Sequence, residues 1–180
     1  MQDLAPQPRH DFFTRLLHWL IAVLLVAVFA LGLWLASLGL FDSRQAGVGL
    51  WHKSLGVLVG VLMLLRLFWR WRQPALPAIG SRLEQRLARL VQGGLYVLVL
   101  LAACSGYLLA TGSGRALEWF GVLHVPALFA LGSGTLDLVR QVHEAAAWLL
   151  VALTVLHVLA VFKHQLLDRD PLLQRMSGKK

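Results

Sequence analysis

The chain has 180 residues, 58% of them hydrophobic and only 14% charged, with a formal net charge of +8. Soluble domains average about half apolar and a quarter charged residues, so this composition excludes an ordinary water-soluble fold and points to membrane spans. The bases flank apolar runs, which argues for anchoring at a membrane surface and against a nucleic-acid partner. The single cysteine, Cys104, lies within an apolar run. It excludes an intrachain disulfide or a cysteine-held zinc or iron–sulfur cluster, and reads as a small core residue.

The N-terminal stretch is polar, with Pro6 and Pro8. The first apolar run, about 14–38, is too long for the h-region of a cleavable signal. The second covers about 48–68, the third about 88–110 and the fourth about 142–162. Each is close to the ~20 residues that cross a hydrocarbon core as a helix. Barrel-type alternation is missing, so helices are expected. The expected fold is an all-α four-helix transmembrane bundle forming one membrane domain over residues 1–180.

The connections differ in character. Residues 39–47 are short and polar, and residues 69–87 contain Pro74 and Pro77. Residues 111–141 are long and include an apolar stretch from Phe120 to Leu131 broken by Pro126. That stretch is too short to span and is expected in the interface. No internal repeat is visible in the sequence. Thirteen of the lysines and arginines fall on the side of the termini and the second connection, and four (Arg44, Lys53, Arg115, Arg140) fall on the other. The positive-inside rule therefore predicts cytoplasmic termini. Six tryptophans near the span ends, Trp19 and Trp34 among them, fit an aromatic belt.

Four of the seven histidines lie within the predicted spans: His18, His52, His143 and His157. An ionisable side chain inside a span is a functional candidate, although one alone could be a structural imidazole bonded to a carbonyl. His18 lies about one turn into the first span, and His52 about one turn into the second, which starts from the opposite side. His143 opens the fourth span. His157 follows 14 residues later, a rise of ~21 Å and close to four whole turns, so both project from one face. The depths pair His18 with His157 and His52 with His143. Two stacked planar cofactors, each held between two histidines, fit this pattern. Bis-histidine ligation of haem favours electron transfer over oxygen binding. The lack of a Cys-x-x-Cys-His motif selects haem b over haem c.

Small residues follow three of these histidines by four: Ala22, Gly56 and Ala147. They leave room for a macrocycle, while Gly56 and Gly60 also form a GxxxG pair that could serve helix packing. Lys53 and Arg44 at the outer level, and Arg15, Arg66 and Arg70 at the inner level, are candidates to pair with haem propionates. His10 is expected to be solvated. His124 and His164 are expected as exposed interfacial imidazoles that could assist proton transfer.

His18-Trp19 after a short basic N-terminus, His52-Lys53-Ser54-Leu55-Gly56, the Arg66–Arg70 stretch, Val142-His143-Glu144, Leu156-His157 with His164, and the Asp170–Met176 segment together resemble the bacterial cytochrome b561 family. The resemblance covers nearly the whole chain. It implies a four-helix bundle in the bacterial inner membrane with two haems b, ligated at the positions of His18, His52, His143 and His157. It implies electron transfer connected to the quinone pool. Some members oxidise superoxide at the periplasmic side and reduce ubiquinone. An anionic donor such as superoxide would be steered by outer bases. The alternative reading is the di-haem membrane subunit of a larger dehydrogenase or hydrogenase complex. A histidine-lined proton or metal transporter would not need depth-matched pairs.

Overall fold

The computed structural model describes residues 9–177 apart from 75, 78 and 171. Pro6, Pro8, Lys179 and Lys180 lie outside the described residues. Four long helices carry the fold: α1 (Phe12–Ser37), α2 (Gln45–Arg72), α3 (Arg82–Thr111) and α4 (Ser133–Leu166). Each is long and apolar enough to cross a membrane. Between α3 and α4 lies a hairpin of β1 (Leu117–Trp119) and β2 (Leu123–Val125), and a short helix, α5 (Leu172–Ser177), follows α4. The α1–α2 connection and the hairpin share one end of the bundle, the loop end. The α2–α3 connection and α5 share the other, the terminal end.

The helices run further than the apolar runs foretold. α4 begins at Ser133, so His143 sits ten residues into it and does not open it. The added turns contain Asp137 and Arg140. A helix needs no apolar face where it leaves the hydrocarbon, so hydropathy alone could not mark that start. α2 likewise continues through Arg70 and Arg72.

Packing is pairwise. α1 lies against α2, α3 against α4, and α2 joins the two pairs through α3. The core draws Leu17 and Ile21 from α1, Val59 and Met63 from α2, Val99 from α3 and Leu150 from α4. Glycine sets the close approaches: a Cβ on Gly60 would lie 3.0 Å from the Ala103 Cβ, and one on Gly94 would lie 2.8 Å from Leu153 Cδ2. The α1–α4 seam is instead bridged by large side chains, with Phe29 and Trp148 edge to face at 5.4 Å. Many large apolar residues point outward, among them Val26, Val61, Val97 and Leu149. In water such a surface would be a liability, whereas in lipid it is the solvated face. Cys104 is on this outer surface. Its expected place in the core is thus corrected: an apolar run in a membrane helix has apolar residues on every side.

The apolar stretch after Thr111 folds back as the hairpin. Phe120 and Gly121 both have positive φ, 52° and 70°, the sign of a mirror-image turn. Such a φ is costly for phenylalanine, and three contacts hold it. The Phe120 N–H donates to Ser54 Oγ at 2.8 Å, and the Phe120 ring packs on Trp51 and Trp119. Trp119 Nε1 donates to the Ser54 carbonyl at 3.0 Å, and Ser54 is fully buried.

At the terminal end, Asp11 caps α1 by accepting from the Thr14 N–H at 3.0 Å, and it also accepts from Trp69 Nε1 at 3.1 Å. Partial burial raises the Asp11 carboxyl, but the hydrogen bonds from Thr14 and Trp69 outweigh it and hold the group below its ordinary pKa. Asp11→Ala should cost about 1–2 kcal/mol through loss of the cap. Because the pKa is depressed on folding, that contribution is present above the ordinary Asp range and lost as pH falls through the depressed value. Thermal melts of wild type and variant should differ at pH 7 and converge in acid.

Candidate functional site

His52 and His143 are brought together at the loop end. Their ring centres lie 6.2 Å apart with planes at 85°. They come from different helix pairs, His52 from α2 and His143 from α4. Each ring is held by the neighbouring helix of its own pair. His52 Nδ1 lies 3.0 Å from the Val28 carbonyl of α1. His143 Nδ1 lies 3.0 Å from the Ala102 carbonyl of α3, and 3.1 Å from Ser105 Oγ. A carbonyl can only accept, so Nδ1 carries the proton in both rings and Nε2 keeps its lone pair. Ser105 Oγ spends its own hydrogen on the Leu101 carbonyl at 2.7 Å, leaving its lone pairs to face His143.

Glycine makes both contacts feasible. One turn beyond Val28 is Gly32, and one turn beyond Ala102 is Gly106. A Cβ on Gly32 would meet His52 Cε1 at 3.0 Å, and one on Gly106 would meet His143 Cε1 at 3.0 Å. The two clasps thus repeat one arrangement: a carbonyl, a glycine four residues on, and an imidazole laid over the gap. Neither glycine was singled out in the sequence. The signal was the Val28/Gly32 and Ala102/Gly106 spacing, which acquires meaning only once each helix's partner is known.

The separation suits a shared ion. With metal–nitrogen bonds of about 2 Å, two imidazoles on opposite sides of one metal have centres roughly 6 Å apart. Ligating histidines usually donate their other ring nitrogen to a carbonyl or carboxylate, as both do here. Gly56, one turn from His52, has no atom within 4 Å of a Cβ position, so it faces open space. The GxxxG pair is therefore divided in use: Gly60 packs on α3, and Gly56 leaves room.

The other level is arranged differently. His18 Nδ1 lies 2.8 Å from Arg66 Nη1. Arginine can only donate, so Nδ1 accepts and the His18 proton sits on Nε2, the opposite tautomer to the loop-end rings. Arg66 Nε donates to the Tyr96 hydroxyl at 3.0 Å. His157 is within electrostatic reach of both His18 and Arg66. The described contacts show no ring stacking between His18 and His157. Arg15, one turn before His18, buries its Nε without a hydrogen-bond partner among the described residues.

Other candidates scatter. Lys53 is exposed. Arg44 is not a free base: its guanidinium bonds Asp42 at 2.7 Å and holds that carboxyl down at about 2. Arg70 is exposed and lies over the Tyr96 ring at 5.9 Å. His10 is half-buried and not simply solvated, and burial followed by the charge of Arg70 holds it below its ordinary pKa. His124 is exposed on β2, as expected. His164 is largely covered, with Nδ1 2.7 Å from Asp168.

Residues 9–179 match the prokaryotic cytochrome b561 family. The chain belongs to that family. It is 34% identical over 174 residues to cytochrome b561 homolog 2 of Escherichia coli K12, covering 95% of this chain and 92% of that protein. A second similarity, 39% over 59 residues, is to a phospho-N-acetylmuramoyl-pentapeptide-transferase of Levilactobacillus brevis. It touches 33% of this chain and 17% of that enzyme, and carries no assignment. Membership makes this chain a membrane electron-transfer cytochrome of the haem b type.

The clasps yield a test on the cytochrome. Gly106→Val places branched methyls where the His143 ring lies, and overpacking of this kind costs about 1–3 kcal/mol. Haem retention during gel filtration should weaken by about tenfold. Gly39→Val, where a Cβ meets nothing within 4 Å, should retain haem like wild type.

Proposed function

We propose that this cytochrome holds two haems b, one between His52 and His143 and one between His18 and His157, and passes electrons across the inner membrane. The observation that carries the reading is the loop-end pair: ring centres 6.2 Å apart, with both Nδ1 atoms tied to carbonyls. The loop-end residues fit a metal-centred group, and the open face at Gly56 fits a macrocycle. When bound, haem would supply an iron that gains and loses one electron, and His52 and His143 would be the residues that hold it at the loop end.

The protein's own residues do the rest. Val28 and Ala102 fix ring orientation and raise ligand basicity by accepting from Nδ1. At the terminal level, His18 would hold the group through Nε2 only with its proton on Nδ1, where it would no longer accept from Arg66. Arg66 and Arg15 are then the cations placed to meet propionates. Lys53 and Arg70, both exposed, are secondary candidates for that pairing.

With the termini cytoplasmic by the positive-inside rule, the loop end faces the periplasm. Superoxide, or another small periplasmic donor, fits as the electron source. Two superoxide anions would each lose one electron to become dioxygen, and ubiquinone would take two electrons and two protons to become ubiquinol. Arg115, Arg140 and Lys53 are the exposed loop-end bases that could steer an anion. Arg44 contributes less because Asp42 neutralises it.

Pyridine haemochrome assay of purified protein should give two haems b per chain. His52→Ala or His143→Ala should each remove one haem and leave most of the other. His18→Ala or His157→Ala should remove the other haem and reduce superoxide-dependent quinone reduction at least tenfold. Two haems persisting in any of these variants would overturn the pairing.

A further inference from the structure

α2 and α3 touch near Gly60 and Ala103, then part toward the terminal end. Between them opens a cleft of about 250 Å³ lined by Arg70, Trp71, Arg89, Gln92, Gly93 and Tyr96. A second hollow, lined by Arg86, Arg89 and Leu90, adjoins it through Arg89. The charge here is one-sided. Among the described residues none of Arg70, Arg86 and Arg89 forms an ion pair. The acid on the same helix, Glu84, is already engaged, by Lys163 Nζ at 2.5 Å and by the Ser81 N–H at 2.7 Å. Arg70 is steadied over the Tyr96 ring, and Tyr96 is in turn bonded by Arg66.

The cleft continues into an apolar surface. Exposed Leu64 on α2 and Val97 and Leu101 on α3 lie on the side toward the membrane centre. Guanidinium groups at the span ends, with apolar helix faces beyond them, match a molecule that is anionic at one end and hydrocarbon at the other. Basic pockets between membrane helices bind anionic headgroups through this combination. A quinone would leave the arginines without a counter-charge.

We propose that the α2–α3 cleft is a binding site for one anionic phospholipid, its phosphate held by Arg70 and Arg89 and its acyl chains laid along Leu64, Val97 and Leu101. Gly93 opens the space, because a Cβ there would meet no atom within 4 Å. The site shares Arg70 with the candidate propionate partners, but it does not depend on the histidine ligand assignment.

The test is native mass spectrometry of the haem-loaded protein, titrated in detergent with phosphatidylglycerol or phosphatidylcholine. One phosphatidylglycerol should bind in preference to phosphatidylcholine. Arg70→Gln combined with Arg89→Gln should weaken that binding by about thirtyfold, the effect of two interfacial arginines. Gly93→Leu keeps every charge but fills the cleft, and should also abolish the preference. Arg72→Gln with Arg82→Gln, which removes equal charge at the same end outside the cleft, should leave it. An unchanged helical circular-dichroism spectrum and elution volume identify folded variants independently of haem occupancy. The proposal is overturned if wild type shows no headgroup preference, or if the preference survives both the arginine pair and Gly93→Leu. It is also overturned if inorganic phosphate or ubiquinone-1 occupies the site without any phosphatidylglycerol preference.

Discussion

An imidazole lying across a membrane helix needs somewhere for its N–H to go. In hydrocarbon an unsatisfied donor costs several kcal/mol, on the order of a whole helix–helix contact. Here the donor is met by a carbonyl of the adjacent helix, and the ring reaches that carbonyl because the residue one turn further on is glycine. The carbonyl remains within its own helical ladder and accepts a second bond. This single contact, made once by His52 on α1 and once by His143 on α3, fixes much else. It ties α2 to α1 and α4 to α3, and leaves Nε2 of each ring free. Any larger residue at Gly32 or Gly106 would press on the ring.

The terminal level obeys the same demand in a different way. His18 accepts from a charged donor, and the Arg66 guanidinium bridges it to Tyr96. A half-buried guanidinium needs acceptors, and a neutral imidazole and a phenol hydroxyl are what the helices supply. The two levels therefore differ in polarity. The loop-end rings are tied to backbone dipoles alone, apart from Ser105, while the terminal rings sit among fixed positive charge. A positive surrounding favours the reduced, more negative state of a redox centre and raises its potential.

Much of this was legible in the sequence for a simple reason. Hydrocarbon allows few backbone solutions, so four apolar runs mean four helices, and histidines within them stand out. What stayed hidden depended on partners. Gly32 and Gly106 look like any glycine in an apolar run, and Gly93 looks no different, yet a Cβ there would meet nothing within 4 Å. The start of α4 was missed because its first turns carry Asp137 and Arg140 and lack a span's hydropathy. Cys104 was misplaced because lipid removes the rule that apolar means inside. The hairpin escaped because its turn uses Phe120 at positive φ, where turn chemistry would call for glycine or asparagine.

Each carbonyl–glycine–imidazole clasp is contained within one helical pair, α1 with α2 or α3 with α4. During insertion, α1 and α2 can dock as soon as both are in the bilayer, and His52 is then oriented without any help from the second half. The same holds for α3 and α4 with His143. The two halves thus meet with their imidazoles already aimed at one another, and the last step of assembly is the closing of a gap between preformed jaws.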